Sequence, residues 1–143
     1  MNILIQGYGD AMQESTHHSL VDLRKALLHL HKVLLEIERI AYEQVHGRVS
    51  AGELLKLLIQ HEQFAWLHSI SEIVVRIDEL LDGEEEADEQ ARLILSEARS
   101  LLVPAEDGTA FASKYYLALQ QDPSAVLAHR AVKGVLVAGA RNS

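Results

Sequence analysis

The sequence predicts an all-α protein: an antiparallel four-helix bundle whose last helix is either one rod kinked at Pro123 or two helices, making five. Three observations predict it. Apolar residues recur at steps of three and four through most of the chain, the spacing of a helix that buries one face. Only 2 of the 143 residues are Pro, so long helices are not interrupted. The periodic stretches are joined by short turns, which set successive helices antiparallel.

Residues 1–14 carry Gly7 and Gly9 and no helical period, and read as an irregular arm. Ile3, Leu4 and Ile5 either add a short strand or cover the bundle. The first helix begins at Ser15 or Thr16, both suitable N-caps, and runs to about His46, where Gly47 stops it. Its seam is Leu20, Leu23, Leu27, Leu30, Leu34, Ile37 and Ala41. The columns Val21, Leu28, Leu35, Tyr42 and Ala26, Val33, Ile40 widen that seam on either side. At 1.5 Å per residue such a helix is roughly 46 Å long. That is long for a globular domain, and part of it is expected to pack on a second copy of the chain.

Ser50 followed by Glu53 is a capping box, and it starts a second helix that runs to Leu81 before Asp82-Gly83. Ile59, Trp66, Ile70, Ile73, Val74, Ile77 and Leu81 share one side of it. Its first turns (Leu54, Leu55, Leu57, Leu58, Ile59) are apolar nearly all round, as in a helix end covered on several sides or by another subunit.

Glu84, Glu85, Glu86 and Asp88 favour the positive end of a third helix, continued by Ala87, Ala91, Ile94, Ala98 and Leu101 up to Pro104. After a turn over Ala105 to Gly108, Phe111, Tyr115, Ala118 and Leu119 mark a fourth helix. Asp122 as N-cap and Pro123 at the first helical position restart the chain. Leu127, Ala131, Val135 and Ala138 then form the expected buried stripe. Residues 15–138 thus make one domain, and 139–143 are expected to be a disordered tail. Ala128, Ala131, Gly134, Ala138 and Gly139 would allow close helix packing or an oligomer contact.

Composition narrows the function. A formal charge of -8 and a pI near 5.4 oppose a nucleic-acid backbone, so no nucleic-acid partner is expected. No run approaches the ~20 uncharged apolar residues of a membrane span, and no secretory signal is expected from residues 1–20. With 0 Cys there is no disulfide, iron–sulfur cluster or thiolate zinc site. The expected compartment is the cytoplasm, and no cofactor is called for. Gly-rich phosphate loops, Gly-x-Ser-x-Gly and His-Glu-x-x-His are all missing from the sequence.

Two polar constellations stand out. Arg24, His31 and Glu38 project inside the apolar face of the first helix, seven residues and roughly 10 Å apart. Unpartnered buried charge is strongly unfavourable, so groups such as Glu72, Glu79, Arg76 or Arg99 are expected to meet them. Ser71 and Asp78, at the margin of the second helix's apolar face, are further hydrogen-bonding candidates. One reading of this stripe is an interhelical ladder or dimer contact; the other is a ligand pocket or polar core. The second constellation is His61, His68 and Glu72, which a continuous helix would place in one column as a metal alternative. A di-iron bundle needs Glu-x-x-His pairs on two helices, and no such pair is expected anywhere in this chain. His29 lies among Asp22, Lys25, Lys32 and Glu36 on an ordinary charged face. Trp66 is either a core anchor or an interface hot spot.

The segment Phe64-Ala65-Trp66-Leu67 through Ser71-Glu72 to Ile77-Asp78 resembles a motif of small uncharacterised bacterial helical proteins. Leu28-His29-Leu30-His31-Lys32 and Glu38-Arg39 in the first helix are similar in style. The resemblance implies a bacterial helical domain and adds no catalytic residue. A looser likeness to hemerythrin-type bundles, by length, helix count and histidine content, implies metal or small-ligand binding. The leading expectation is a non-enzymatic bundle that forms a homo-oligomer or binds a protein partner.

Overall fold

The computed structural model describes residues 14–83 and 87–141, and these are helical with short connections. The expected N-terminal arm apart from Glu14, which is already helical, the Glu84–Glu86 helix start and the last residues of the tail lie outside the described residues. Among the described residues there are six α-helices, one 3-10 helix and no strand.

Helix α1 spans Glu14–His46. Leu20, Leu23, Leu27, Leu30 and Leu34 are fully buried, so the heptad seam is real over its first two thirds. Beyond Leu34 the seam opens: Ile37 is half-buried and Ala41 exposed. Leu28 and Ile40, expected to widen the seam, are exposed instead. Gly47 ends the helix at φ +85°, and its N–H donates to the Glu43 carbonyl at 2.9 Å. Only glycine takes that left-handed conformation without penalty.

The expected second helix is three pieces: α2 (Ala51–Gln60), a 3-10 helix (Glu62–Leu67) and α3 (His68–Asp82). Ser50 caps α2 as expected, its Oγ accepting from Glu53 N at 3.1 Å. His61 breaks the rod. Its backbone is extended (φ -89°, ψ 134°), and its Nδ1 accepts from Gln63 N at 3.1 Å. The physical reason for the break is burial. At ~120° per residue a 3-10 turn eclipses positions three apart, so Phe64 and Leu67 point the same way, and Trp66 is buried beside them. The break also takes Ile59 off the Trp66 face and leaves it exposed. In α3, Ile70, Ile73, Val74 and Ile77 are buried as expected, with Leu80 in place of Leu81.

Helix α4 (Ala87–Leu101) buries Ala91, Ile94, Leu95 and Ala98. Helix α5 (Ala110–Gln121) starts at Thr109, whose Oγ accepts from Ala112 N at 3.2 Å, and buries Phe111, Tyr115 and Ala118. Asp122 is extended and closes α5; its Oδ1 accepts from Ser124 N at 2.8 Å. Pro123 therefore opens a separate helix, α6 (Pro123–Arg141), so the stretch around Pro123 is two helices, α5 and α6, and not one kinked rod. The buried stripe of α6 is Ala125, Ala128, Val132 and Leu136, whereas Leu127, Ala131 and Ala138 face outward and Val135 is half-buried. Both stripes have helical period. Ala125 and Ala128 face inward, where small side chains let α6 lie close to neighbours that supply the bulk. Gly139 and Arg141, expected in a frayed tail, belong to α6.

Helix α1 packs on α6 and α3, α3 on α4, and α4 on α6. The paired positions Arg24–Asp78 and His31–Ser71 run in opposite directions along α1 and α3. A Cβ at Gly139 would touch Ser19 at the start of α1 and Leu95 on α4, and Arg99 reaches the Leu136 carbonyl. Helix α6 therefore runs against both α1 and α4. No described helix is long and apolar enough to cross a membrane.

Candidate functional site

The polar stripe of α1 meets α3 and the 3-10 helix rung by rung. Arg24 Nε donates to Asp78 Oδ1 at 2.6 Å, and His31 Nε2 lies 3.1 Å from Ser71 Oγ. At the third rung Gln63 Nε2 donates at 3.3 Å to the backbone carbonyl of Glu38, not to its carboxylate. Ser71 and Asp78 are thus the facing groups. The expected partners Glu72, Glu79, Arg76 and Arg99 are not, because they project from other faces. Arg76 pairs with Glu97 on α4, and Arg99 donates to the Leu136 carbonyl at 3.1 Å. Glu72 and Glu79 are exposed.

Burial decides what this ladder can do. The side chains of Arg24 and Asp78 are 40% and 46% exposed, so the pair is solvated and contributes at most about 1 kcal/mol. His31 is half-buried; burial, and secondarily the neighbouring His68, holds its pKa below the ordinary imidazole value. The three residues occupy separate rungs and do not converge on one site. The Ser71–His31 contact lacks the features of an acyl-transfer dyad. Among the described residues no carboxylate is hydrogen-bonded to His31 behind it. Ser71 sits within α3, where the helix's own hydrogen bonds occupy the amides that an oxyanion hole would need.

The histidine column does not form. His61 belongs to the break, where its ring stands edge-on to Tyr42 and Phe64 with centroids 5.5 and 6.0 Å away. His68 Nε2 donates to the Leu58 carbonyl at 2.6 Å, tying the end of α2 to the start of α3. Glu72 is exposed. Among the described residues no group of three metal-ligating side chains is close enough to hold an ion. Contrary to the expectation that the chain has no Glu-x-x-His pair, two occur, Glu14…His17 and Glu43…His46, but both lie on α1, near its opposite ends, and not on two helices. Glu43 is also committed elsewhere, accepting from Arg39 Nη1 at 2.5 Å and from Val49 N at 3.0 Å.

Two further features stand out, of which helical spacing anticipates only the second. A file of rings runs from Trp66 through Phe111 and Tyr115 to His129, with centroids 5.3, 5.4 and 5.4 Å apart. The Tyr115 hydroxyl and His129 Nδ1 share a hydrogen bond of 2.6 Å. Burial raises the Tyr115 pKa above the ordinary phenol value; burial and then Lys133 lower that of His129. Both groups are therefore neutral near pH 7, and the pair locks α5 to α6. Trp66 is a core residue, and its buried Nε1 has no hydrogen-bond partner among the described residues. Helical spacing alone could not reveal the Tyr115–His129 lock, because the two residues sit on different helices.

The second feature is exposed apolar surface. Helix α2 has five Leu or Ile among ten residues and buries none of them fully. Leu54, Leu57 and Leu58 lean on the core, while Leu55 and Ile59 are 58% and 62% exposed. Val45, on the last turn of α1, is 77% exposed. Between α2 and α3 an open groove of about 520 Å³ is lined by Ile59, His68, Ser71, Glu72, Val75 and Arg76. Comparison of the chain with family models, curated proteins and solved structures gives no match.

Proposed function

We propose that the chain is a non-enzymatic antiparallel four-helix bundle that self-associates through the surface formed by α2 and the last turns of α1. The bundle reading rests on neighbour relations: α1, α3, α4 and α6 contact one another in a closed ring, with α2, the 3-10 helix and α5 as additions. One observation carries the association reading, namely that α2 is half Leu and Ile yet has no fully buried residue. Fully burying a side chain of that size contributes about 1.5–3 kcal/mol. A second surface laid on Leu55, Ile59 and Val45 would recover part of it.

A second copy fits this surface because a two-fold contact must be self-complementary. Helix α2 carries Glu53 and Lys56, one charge of each sign, so a two-fold does not force like charges together. The absence of Cys fits a cytoplasmic setting. Size-exclusion chromatography with light scattering on the full chain, at tens of micromolar, tests the reading. The expected mass is a multiple of 15.9 kDa. Leu55→Glu with Ile59→Glu should return it to one chain, with unchanged helicity by circular dichroism. A wild-type chain that is monomeric at that concentration overturns the proposal.

A further inference from the structure

The outward face of α6 differs in kind from that of α1. On α1 the exposed positions Asp22, Lys25, Lys32 and Glu36 mix both signs, the usual solvated pattern. Helix α6 has no Asp or Glu from Pro123 to Arg141, although the chain as a whole carries -8. Its exposed positions include Val126, Leu127 and Val137, with Leu127 64% exposed. Arg130 and Lys133 are exposed among them. At ~100° per residue these five side chains fall within roughly one third of the helix circumference. The face is therefore apolar and basic together, in a protein that is otherwise acidic.

We propose that this face of α6 docks an acidic amphipathic helix of a partner protein. The charge pattern selects that occupant. A second copy placed about a two-fold axis would set a face of only positive charge against itself, which is repulsive. An anionic bilayer would attract Arg130 and Lys133 but repel the acidic remainder of the chain, and the outward apolar groups include only one Leu and no aromatic to insert. A single helix touches the α6 arc alone. It brings its own apolar stripe to Leu127, Val126 and Val137, and its carboxylates to Arg130 and Lys133. At Gly134, midway along the face, a Cβ would meet no atom within 4 Å, which leaves room for another backbone to approach closely.

The proposal is independent of self-association through α2, and the test separates them. The probe is a fluorescent designed peptide, helical and amphipathic, with leucines on one face flanked by glutamates. Its lysine counterpart and phosphatidylserine–phosphatidylcholine vesicles serve as comparisons. Anisotropy is measured against the full chain and against Leu55→Glu/Ile59→Glu, which keeps α6 intact. The expected result is saturable binding of the glutamate peptide to both, with no binding of the lysine peptide. Binding should weaken about tenfold or more with Arg130→Glu/Lys133→Glu, and again at high salt. Both substitutions are exposed, and unchanged circular dichroism verifies the fold. Equal binding of the two peptides, indifference to the charge reversal, or absence of binding overturns the proposal. Vesicle binding without peptide binding overturns it in favour of a lipid surface.

Discussion

His31 and His129 are the residues whose chemistry the fold changes in one direction. Each is half-buried and held as the neutral imidazole: His31 against Ser71 and near His68, His129 against Tyr115 and near Lys133. A lowered pKa in the folded state means that the unfolded chain takes up protons first as pH falls. The neutral histidines therefore contribute stability in full above 6.5, the ordinary value, and lose it as pH falls from there through their folded values. Glu36, Glu43 and Glu97 are held below the ordinary carboxylate value of 4.5, so their contribution is lost at more acidic pH. The melting temperature is expected to drop between pH 7.5 and 5.5, and His31→Gln/His129→Gln should flatten that drop. Thermal unfolding by circular dichroism at several pH values measures it. Parallel wild-type and variant profiles would show that these two imidazoles do not govern the window.

At the scale of the element, the ends of α1 and α2 depend on single residues. Gly47 has φ +85° and nothing within 4 Å of a would-be Cβ, so a side chain there meets a conformational cost and no clash. Gly47→Ala should destabilise by about 1–2 kcal/mol, the penalty of a left-handed L-residue. Urea denaturation reads that difference, and an unchanged midpoint would refute it. Both this glycine and the Ser50 cap were legible in the sequence, because local backbone chemistry places them. The break at His61 was not. Gln60-His61 contains neither Gly nor Pro, and the helix stops there because Phe64, Trp66 and Leu67 are buried by turning the backbone, a tertiary cause. The stripe of α6 failed for a related reason. Leu127 and Ala125 head equally periodic series, and only the packed neighbours decide which faces inward.

For the whole molecule, the same limit explains which parts of the polar stripe were readable. The α1 side of the ladder follows from its own heptads, and Ser71 and Asp78 were identifiable by their place on the facing helix; the choice of them over Glu72 and Glu79 required the register. Stability is distributed as unevenly as burial. The core joins α1, α3, α4, α5 and α6, while α2 lies against it by Leu54, Leu57 and Leu58 and is pinned through the Leu58 carbonyl to His68. Local opening follows buried contacts, so in an isolated chain the amides of α2 should exchange with solvent well before those of α3. Association through Leu55 and Ile59 would add a contact that exists only in the oligomer, and mass action makes its protection depend on concentration. Hydrogen exchange read by mass spectrometry should therefore show peptides covering 51–60 slowing as the protein is concentrated, while peptides covering α3 stay constant. In Leu55→Glu/Ile59→Glu the concentration dependence should vanish. If 51–60 exchanges at one rate at every concentration in the wild type, α2 is a surface helix that nothing covers.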